Sequence, residues 1–526
     1  MYMFDSDTAA RLEAIGKLGF TNPFGSERPR LEATIVGAEV ARSSPWSRSL
    51  DWPLEDPALP AIQKEAERQL TTAHMGFARG TKYSDRDRDL IRGVALYVLY
   101  YRYDAELYEL ITGSTAGTAL SGERTAGTAL SGERTAGTIT FYDGFRDDFR
   151  DLFQHVGPPT WAPNPADLFA LFFQTRRAFH FVFHQILGTS LAAAKLRASV
   201  WESLFTHDPW RYLARLQGRM HEASTLILGP SGTGKELVAS AIGLSSFIPF
   251  DDRTGRFARD FRNAFHPLHL AAMSKTLIES ELFGHKKGAF TGASADRMGH
   301  LEGRSPSETI FLDEIGELDA EVQVKLLRVL QSRTFHRLGD TDPRSFGGKV
   351  VAATNRDLPR EMAAGRFRED LYYRLCSDVI KTPSLQEQVE CDVDELGHLV
   401  SVLIQRILGS SDQPSFEEVM SGIERSVGFD YPWPGNIREL EQCVRNLLIH
   451  GHYLPPTAPK EPGGLESLFD RMRNAEANLD QVASEYSTFV YRREGSYGRA
   501  GELLGVDRRT VSKHVGDTLD PPNHPK

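Results

Sequence analysis

A short strand followed at once by a glycine-rich loop and a helix is the feature that most constrains this chain. The strand, Thr225–Leu228, precedes the helical stretch at 237–239. The loop between them reads Gly229, Pro230, Ser231, Gly232, Thr233, Gly234, Lys235, Glu236. Glycines let backbone N–H groups turn toward phosphate oxygens, and a helix N-terminus adds positive potential. A lysine at the position of Lys235 reaches the β- and γ-phosphates of a nucleotide. The sequence therefore predicts a nucleotide-binding loop inside an α/β domain.

Carboxylates follow a second apolar strand, at residues 310–312. Asp313 suits the metal that accompanies a nucleotide, and Glu314 suits the base that polarises an attacking water. A third apolar strand, 351–353, leads to Asn355, which can orient that water or sense the γ-phosphate. These residues predict ATP hydrolysis with Mg²⁺ as the cofactor.

The most specific motif lies between the first two strands. Residues 279–287 read ESELFGHKK and run directly into Gly288, Ala289, Phe290, Thr291, Gly292, Ala293. With this motif, residues 200–450 resemble the AAA+ domain of the sigma-54-dependent transcription activators, the bacterial enhancer-binding proteins. The resemblance implies that the GAFTGA loop rises above an ATPase ring and contacts sigma-54. We expect glycines to make this surface hairpin mobile and Phe290 to be exposed.

Further motifs of the family follow in order. Residues 313–315 resemble its Walker B motif, 353–358 its sensor I, and 431–440 its sensor II. The resemblance implies that Arg438 reaches the nucleotide from a helical lid. It also makes Arg368 and Arg374 arginine fingers, inserted into the ATP site of a neighbouring subunit. Without the family, both arginines read as surface ion-pair residues.

Two departures from the family pattern carry structural expectations. His269 stands where the family has an Asn that restrains the catalytic glutamate, and we expect it to hydrogen-bond Glu314. Residues 251–263 form a longer, arginine-rich stretch than usual, which predicts a surface insertion.

The C-terminal segment resembles the Fis-type helix-turn-helix of the same family. Its helices are predicted at 497–504 and 508–515, joined by Gly505. The positions that hold them together are Ala500, Gly501, Leu504, Val506, Val511. The residues predicted to face double-stranded DNA are Arg508, Arg509, Thr510, Ser512, Lys513. Residues 490–515 carry six basic and three acidic side chains, a balance of +3, although the whole chain carries −10. A local positive balance suits a module that faces phosphates.

The first 200 residues predict a mainly helical domain of sensory or regulatory type. Phe141, Phe145, Phe149 and Phe153 recur at helical spacing and predict a bundle core. His180 and His184 share a helix face, either as packed residues or as a ligand site. The decapeptide TAGTALSGER occurs twice from residue 115 and restarts at 135, which predicts a flexible loop over 115–138.

The resulting fold class is multidomain: a helical N-terminal domain, a P-loop α/β domain with a helical lid, and an all-α C-terminus. The predicted boundaries are 1–200, 201–385 for the AAA+ core, 386–451 for the lid, 452–464 for a linker and 465–520 for the DNA-binding domain. Three isolated cysteines and the lack of an apolar span or signal segment predict a cytoplasmic protein with no membrane contact.

The leading hypothesis is an activator that binds enhancer DNA, assembles with copies of itself into a hexameric or similar ring, and remodels sigma-54 RNA polymerase at the expense of ATP. The alternatives are a DNA-binding regulator that does not use ATP for activation, and an AAA+ remodeller of another protein. An intact nucleotide loop and GAFTGA motif weigh against the first alternative, and the helix-turn-helix weighs against the second.

Overall fold

The computed structural model describes residues 4–40, 58–113, 138–207, 211–392, 394–455, 468–469, 472–473 and 477–516. The chain forms two compact units, one of residues 1–422 with 431–449 and one of residues 423–430 with 450–526. The decapeptide repeat at 115–134 and residues 456–464 of the predicted linker lie outside the described residues. Within the described ranges, no helix combines the length and the apolar character needed to cross a bilayer.

The first unit begins with a helical bundle. Its helices are α1 (Ser6–Leu18), α2 (Glu27–Val36), α3 (Ala58–Ala78), α4 (Asp85–Arg102), α5 (Asp104–Thr112), α6 (Tyr142–Phe153), α7 (Pro165–Gln185) and α8 (Leu191–Phe205). Ser84 caps α4 through a reciprocal pair of hydrogen bonds with Asp87, which satisfies the free amides of the first turn. Phe145, Phe149 and Phe153 are buried, as their spacing predicts.

A parallel sheet follows the bundle. Its strands are β1 (Thr225–Leu228), β4 (Phe265–His269), β7 (Thr309–Asp313), β10 (Lys349–Thr354) and β11 (Asp378–Lys381), in the order β11-β1-β10-β7-β4. All neighbouring strands run parallel. The β7 and β10 strands are buried along almost their whole length, as expected for a sheet covered on both faces. The carboxyl ends of β1, β7 and β10 therefore share one edge.

Helices and short hairpins connect the strands. The helices are α9 (Lys235–Leu244), α10 (Lys275–Phe283), α11 (Ala320–Ser332), α12 (Leu358–Ala363) and α13 (Glu369–Leu375). The hairpins pair β2 (Phe250–Asp251) with β3 (Arg256–Phe257), β5 (Gly284–His285) with β6 (Arg297–Met298), and β8 (Thr334–Phe335) with β9 (Arg344–Ser345). Shorter turns of other helix types are Tyr212–Leu216, Gln217–Glu222, Phe261–Asn263, Leu270–Ala272 and Ile315–Glu317.

The predicted insertion at 251–263 is not a free surface element. Its β2–β3 hairpin packs on α7, where the Phe169 and Phe250 rings lie 4.8 Å apart and the Phe173 and Phe257 rings 4.3 Å apart. The arginines that make this stretch look polar point outward, while its phenylalanines extend the bundle core. One hydrophobic core thus joins the N-terminal helices to the sheet. The predicted boundary at residue 200 falls inside α8, and no division of the fold occurs there.

The lid is helical, as predicted. It contains α14 (Leu385–Cys391), α15 (Glu395–Leu408), α16 (Gln413–Ser426) and α17 (Asn436–His450). Before α17 the backbone turns sharply at Trp433 and Asn436, with φ of +48° and +54°. Trp433 is buried in this turn, which fixes the start of α17.

The second unit is described mainly by α18 (Leu479–Glu494), α19 (Tyr497–Leu504) and α20 (Arg508–Gly516). Gly505 ends α19 at a φ of +68°, a conformation that glycine adopts without strain. A Cβ on Gly501 would lie 2.8 Å from the carbonyl oxygen of Val506, so the two helices need a glycine there. Ala500 and Val511 are buried between the helices, but Val506 is 41% exposed and does not hold them together as expected.

Candidate nucleotide-binding and hydrolysis site

The glycine loop after β1 wraps around the ammonium group of Lys235. Gly232 and Gly234 have φ of +79° and +85°, which turn the loop back over the start of α9. The Nζ of Lys235 donates to the carbonyl oxygens of Gly229 and Pro230, both at 3.0 Å. With those bonds, a buried lysine is held at the centre of a ring of backbone groups, where a phosphate would be bound.

Thr382 is a site residue that the sequence did not reveal. It follows β11, and its Oγ1 lies 2.6 Å from Oγ1 of Thr233. A Cβ on Gly229 would lie 2.0 Å from Oγ1 of Thr382, so only a glycine lets the loop come this close to Thr382. Thr382 follows an edge strand with no neighbouring motif, and only the strand order shows that it lies beside the loop.

Asp313 and Glu314 lie at the carboxyl end of β7, next to β10. Glu314 adopts a left-handed conformation with φ of +56°, which is strained for a residue other than glycine. Its amide donates to Oδ1 of Asp313 at 3.1 Å, and its Oε2 accepts from the amide of Asn355 at 3.4 Å. The structure thus brings together the three residues predicted at the ends of the two strands.

His269 contacts a different carboxylate from the one expected. Its Nδ1 lies 3.1 Å from Oδ2 of Asp313. Among the described contacts, His269 forms no hydrogen bond with Glu314. The reason is the sheet register: β4 pairs with β7 so that His269 lies opposite Asp313, one residue before the glutamate. The expected restraint of Glu314 by His269 is therefore wrong in this structure.

Electrostatics tie the loop to the carboxylates. Burial lowers the pKa of Lys235, whereas Glu314 and Asp313 act in the opposite direction and Arg438 lowers the pKa further. Two carboxylates and two basic side chains therefore lie close enough for their charges to interact. A bound polyphosphate would add negative charge beside Lys235 and Arg438 and would favour the charged form of the lysine.

The acidic end of β7 fits a magnesium ion of the kind that accompanies ATP. Asp313 offers a half-buried carboxylate whose partners are one amide and one imidazole. Among the described residues no group of three or more His, Cys, Asp or Glu side chains could enclose a metal. Mg²⁺ typically uses one or two carboxylates together with phosphate oxygens and waters, and Asp313 would supply such a carboxylate.

The lid meets the glycine loop directly. Arg438 donates from a terminal nitrogen to Oγ of Ser231 at 3.3 Å, and Asn436 donates from Nδ2 to the carbonyl of Ser231 at 2.9 Å. Asn436 also accepts from the amide of Leu385 at 2.8 Å, at the start of the lid. A Cβ on Gly232 would lie 2.2 Å from the carbonyl oxygen of Gly435. Arg438 thus lies beside the loop, and Asn436 links the loop to the lid.

A buried glutamate shapes the turn that presents Arg438. Glu439 accepts from the amide of Gly435 at 2.7 Å and from the hydroxyl of Tyr431 at 2.8 Å. Burial and this carboxylate raise the pKa of Tyr431 to about 12, so the phenol stays a donor. The glutamate lies inside the motif quoted for sensor II, but its positioning role was not apparent from the sequence.

The two predicted arginine fingers are exposed and lie outside this cluster. Arg368 pairs with Asp370 through both guanidinium arms, at 3.0 and 2.7 Å. Arg374 is exposed on α13, and among the described residues its side chain forms no hydrogen bond or ion pair. Neither arginine contacts the glycine loop or the β7 carboxylates of its own chain, as far as the described residues extend.

The GAFTGA residues form the tip of the β5–β6 hairpin. Gly288 and Gly292 have φ of +83° and +106°, and the amide of Gly288 donates to the carbonyl of Ala293 at 2.9 Å. Thr291 is exposed at the tip. Phe290 is half-buried with its ring 5.0 Å from that of His285, so the expectation of a fully exposed phenylalanine is wrong here. The other two residues of the motif are Ala289, half-buried against Gly339, and Ala293, buried.

The predicted DNA-facing residues of α20 lie mostly on its surface. The exposed side chains are Arg508, Arg509, Ser512, Lys513. Thr510 is half-buried, and its hydroxyl donates to Asp507 at 3.2 Å. The same carboxylate accepts from the amides of Arg509 and Thr510, which caps the helix and lowers the pKa of Asp507. Thr510 thus contributes to the helix start.

Comparison with known proteins agrees with this geometry. The model of the sigma-54 interaction domain matches residues 211–381. The regulatory protein LuxO of Vibrio vulnificus is 38% identical over 50% of this chain and 54% of its own length. The Nif-specific regulatory protein of Klebsiella pneumoniae is 36% identical over 56% of this chain and 54% of its own. The transcriptional regulatory protein ZraR of Escherichia coli is 37% identical over 55% and 62%, respectively.

The chain thus spans little more than half the length of the relatives that it matches. The matched family residues include the glycine loop, the β7 carboxylates and the GAFTGA hairpin. Residues 211–381 are therefore similar to the sigma-54 interaction domain over the stretch that holds this site.

Proposed function

We propose that the protein is an ATP-dependent transcription activator that remodels sigma-54 RNA polymerase toward an open promoter complex. The observation that carries this proposal is the convergence of Lys235, Asp313, Glu314 and Arg438 on one glycine loop. The same domain presents a GAFTGA hairpin with an exposed Thr291. A protein that acts on sigma-54 RNA polymerase would also be cytoplasmic.

In this proposal each residue of the cluster has one task. Lys235 and the backbone of residues 229–236 bind the phosphates, and Arg438 completes the cradle from the lid. Asp313 would hold the Mg²⁺ of the nucleotide, which would supply positive charge to the phosphate oxygens. Glu314 accepts a proton from the attacking water, and Asn355 helps to orient that water. The left-handed backbone of Glu314 keeps its carboxylate beside the amide of Asn355.

Assembly supplies the remaining charge. Arg368 and Arg374 are exposed, and on the resemblance to the family they enter the ATP site of the next copy in a ring. A guanidinium stabilises the charge that develops on the transferred phosphoryl group, so hydrolysis would depend on the ring. The pairing of Arg368 with Asp370 holds that side chain until a neighbour arrives.

The C-terminal helices would bring the ring to its promoter. The exposed basic residues of α20 suit phosphates and base edges in the major groove of double-stranded DNA. Binding through a few such contacts is strongly salt-dependent, because each neutralised phosphate releases counterions.

Sigma-54 capture tests the proposal. Full-length protein with ADP–aluminium fluoride and Mg²⁺ should bind sigma-54, and Thr291→Ala should weaken that binding at least tenfold while ATP turnover stays within twofold. Thr254→Ala, an exposed threonine in the β2–β3 hairpin, is the matched control and should bind normally.

The outcomes separate the alternatives. Turnover without sigma-54 binding would favour an AAA+ remodeller of another partner. DNA binding with no ATP turnover would favour a regulator that does not use ATP. Unchanged binding by Thr291→Ala would contradict the assignment of the hairpin as the contact.

A further inference from the structure

A second cavity lies at the end of the sheet opposite the nucleotide site. Its volume is about 400 Å³, within the range of small-molecule sites. Lys349, the first residue of β10, lines it, whereas the nucleotide site lies beyond the last residue of the same strand. We call it the amino-end cavity. Its walls come from the helical bundle, from the turns at 212–221 and from the sheet domain.

The amino-end cavity is mainly apolar. Its larger apolar lining residues are Leu204, Tyr212, Met220, Phe247, Pro249, Pro306. The polar lining groups that pack against them are mostly uncharged, such as Gln174, which binds the hydroxyl of Tyr212 at 2.8 Å and the carbonyl of Ser245 at 3.2 Å. Such walls suit a ligand with an apolar body.

The charged lining residues are all basic. Lys349 and Arg259 line the cavity, and among the lining residues there is no Asp or Glu. Arg259 is paired with Glu308 at 3.0 Å. Lys349 therefore is the cation that remains available to a ligand.

Few polar groups compensate the buried positive charge of Lys349 in the cavity wall. Its side chain is buried, and its Nζ donates to the carbonyl of Ala223 at 2.8 Å. An ammonium has three protons to donate, and among the described residues Lys349 forms no ion pair. The charge of Asp378 partly opposes the effect of burial on the pKa of Lys349, and its Oδ2 accepts from the hydroxyls of Ser203 and Thr225. Burial lowers the pKa of Lys349 to about 8, a cost that a bound anion would relieve.

We propose that the amino-end cavity binds a small organic carboxylate with an apolar body, and that its carboxylate pairs with the ammonium of Lys349. Binding at this cavity does not depend on the proposed function. The cavity touches the segment that follows α9, because Ser246, Phe247 and Pro249 are part of its wall. The site thus lies between the helical bundle and the helix that begins at the glycine loop.

Isothermal titration of the full-length protein tests this site. The probes are benzoate, phenylacetate and octanoate, each compared with its neutral amide. We expect at least one acid to bind at least tenfold more tightly than its amide. Lys349→Met should weaken that binding at least tenfold, whereas Lys195→Met, which changes an exposed lysine on α8, should leave it within twofold.

A filled cavity provides the second variant. Gly218 lines the cavity at an exposed position, and a Cβ there would meet no atom within 4 Å, so Gly218→Phe should fold and should weaken binding by narrowing the cavity wall. Thermal unfolding establishes that each variant is folded. Equal binding of acids and amides, wild-type affinity in Lys349→Met, or no binding of any acid at 10 mM (roughly the weak end of ligand affinities) would overturn the proposal.

Discussion

The glutamate at the end of β7 shows how one residue can be set for one chemical task. Glu314 is held in a left-handed conformation at the carboxyl end of a buried strand, next to the amide of Asn355. The backbone cost of about 1–3 kcal/mol persists because the surrounding sheet fixes the residue. Strain of this kind is commonly stored at functional sites.

We therefore expect Glu314→Gln to bind ATP normally and to hydrolyse it about 10²–10⁴ times more slowly, because an amide cannot accept the proton of the attacking water. Phosphate release and ATP titration measure the two effects separately. Glu317→Gln, an exposed glutamate nearby, is the control and should keep turnover within twofold. An equal loss of binding and turnover would show that Glu314 acts on nucleotide binding instead.

A half-buried histidine in the bundle gives a prediction about pH. His180 lies 4.6 Å from His184 and 5.6 Å from Tyr108 between ring centroids, and its Nδ1 is buried without a partner among the described residues. Burial, then His184 and Arg176, lowers the pKa of His180 to about 3. His180 thus packs among its ring neighbours, whereas His184 is exposed, and no described carboxylate or cysteine completes a metal site.

The sign of the effect follows from proton binding. Below pH of about 6.5 the unfolded chain protonates His180 while the folded chain does not, so stability falls as the pH falls. Between about pH 6.5 and 5 this costs up to about 2 kcal/mol. His180→Phe should therefore lose less stability than the wild type over that interval in urea unfolding. His207→Phe, at an exposed position, should keep the wild-type slope, and a wild-type slope in His180→Phe would contradict the assignment.

At the scale of elements, the β5–β6 hairpin depends on one glycine more than on the others. Gly284 has φ of +77° and ψ of 174°, and a Cβ there would lie 2.6 Å from the carbonyl of Arg297 and from the amide of Gly299. Gly288 also has a positive φ, of +83°, but a Cβ there would meet no atom within 4 Å. A comparison of substitutions at the two glycines therefore distinguishes the cost of a steric clash from the cost of backbone strain.

We expect Gly284→Ala to destabilise the protein by about 3 kcal/mol, since it combines strain with a clash against the backbone of the facing strand β6. Gly288→Ala should cost only about 1–2 kcal/mol, the usual penalty of the left-handed region. Urea unfolding of the two variants and the wild type measures the difference. A Gly288→Ala variant as unstable as Gly284→Ala would show that the hairpin tip is packed more tightly than the contacts indicate.

How far the sequence predicts an element depends on whether its signal is local. The glycine loop, the carboxylates after β7 and Asn355 after β10 were predictable because each lies at the end of an apolar strand, and parallel strands gather such ends. The start of α4 likewise depends on a local signal, because Ser84 and Asp87 are only three residues apart. The roles of Thr382 and His269 were not, because they depend on strand order and on register.

The packing of the β2–β3 hairpin was also not predictable from the local sequence. Its arginines predicted a surface insertion, but Phe250 and Phe257 pack on α7. Only the fold reveals that these phenylalanines and the aromatic residues of α7 share one core. Phe290 is another case, since the motif predicts a contact with another protein but does not predict the packing of this ring against His285.

At the scale of the whole molecule, the N-terminal bundle shares one hydrophobic core with the α/β domain. Arg177, fully buried, donates to the carbonyls of Leu244 and Ser246 at 2.7 Å, where α9 ends. Glu395, in the lid, accepts from the amides of Thr189 and Ser190 at 2.7 and 3.0 Å. The bundle thus contacts both the helix after the glycine loop and the lid, and a regulatory signal in the bundle could reach both.

This shared core predicts the result of truncation. A chain of residues 201–526 would begin inside α8 and would expose the apolar surfaces that Phe250 and Phe257 bury against α7. We expect its ATPase domain to melt about 10 °C or more below the full-length protein, because burial of several aromatic side chains is lost. A chain of residues 1–455 keeps the first unit whole and should melt within about 2 °C of the full-length protein. Differential scanning calorimetry with ATP-binding measurements distinguishes the two, and full-length stability in the 201–526 chain would mean that the bundle is an independent domain.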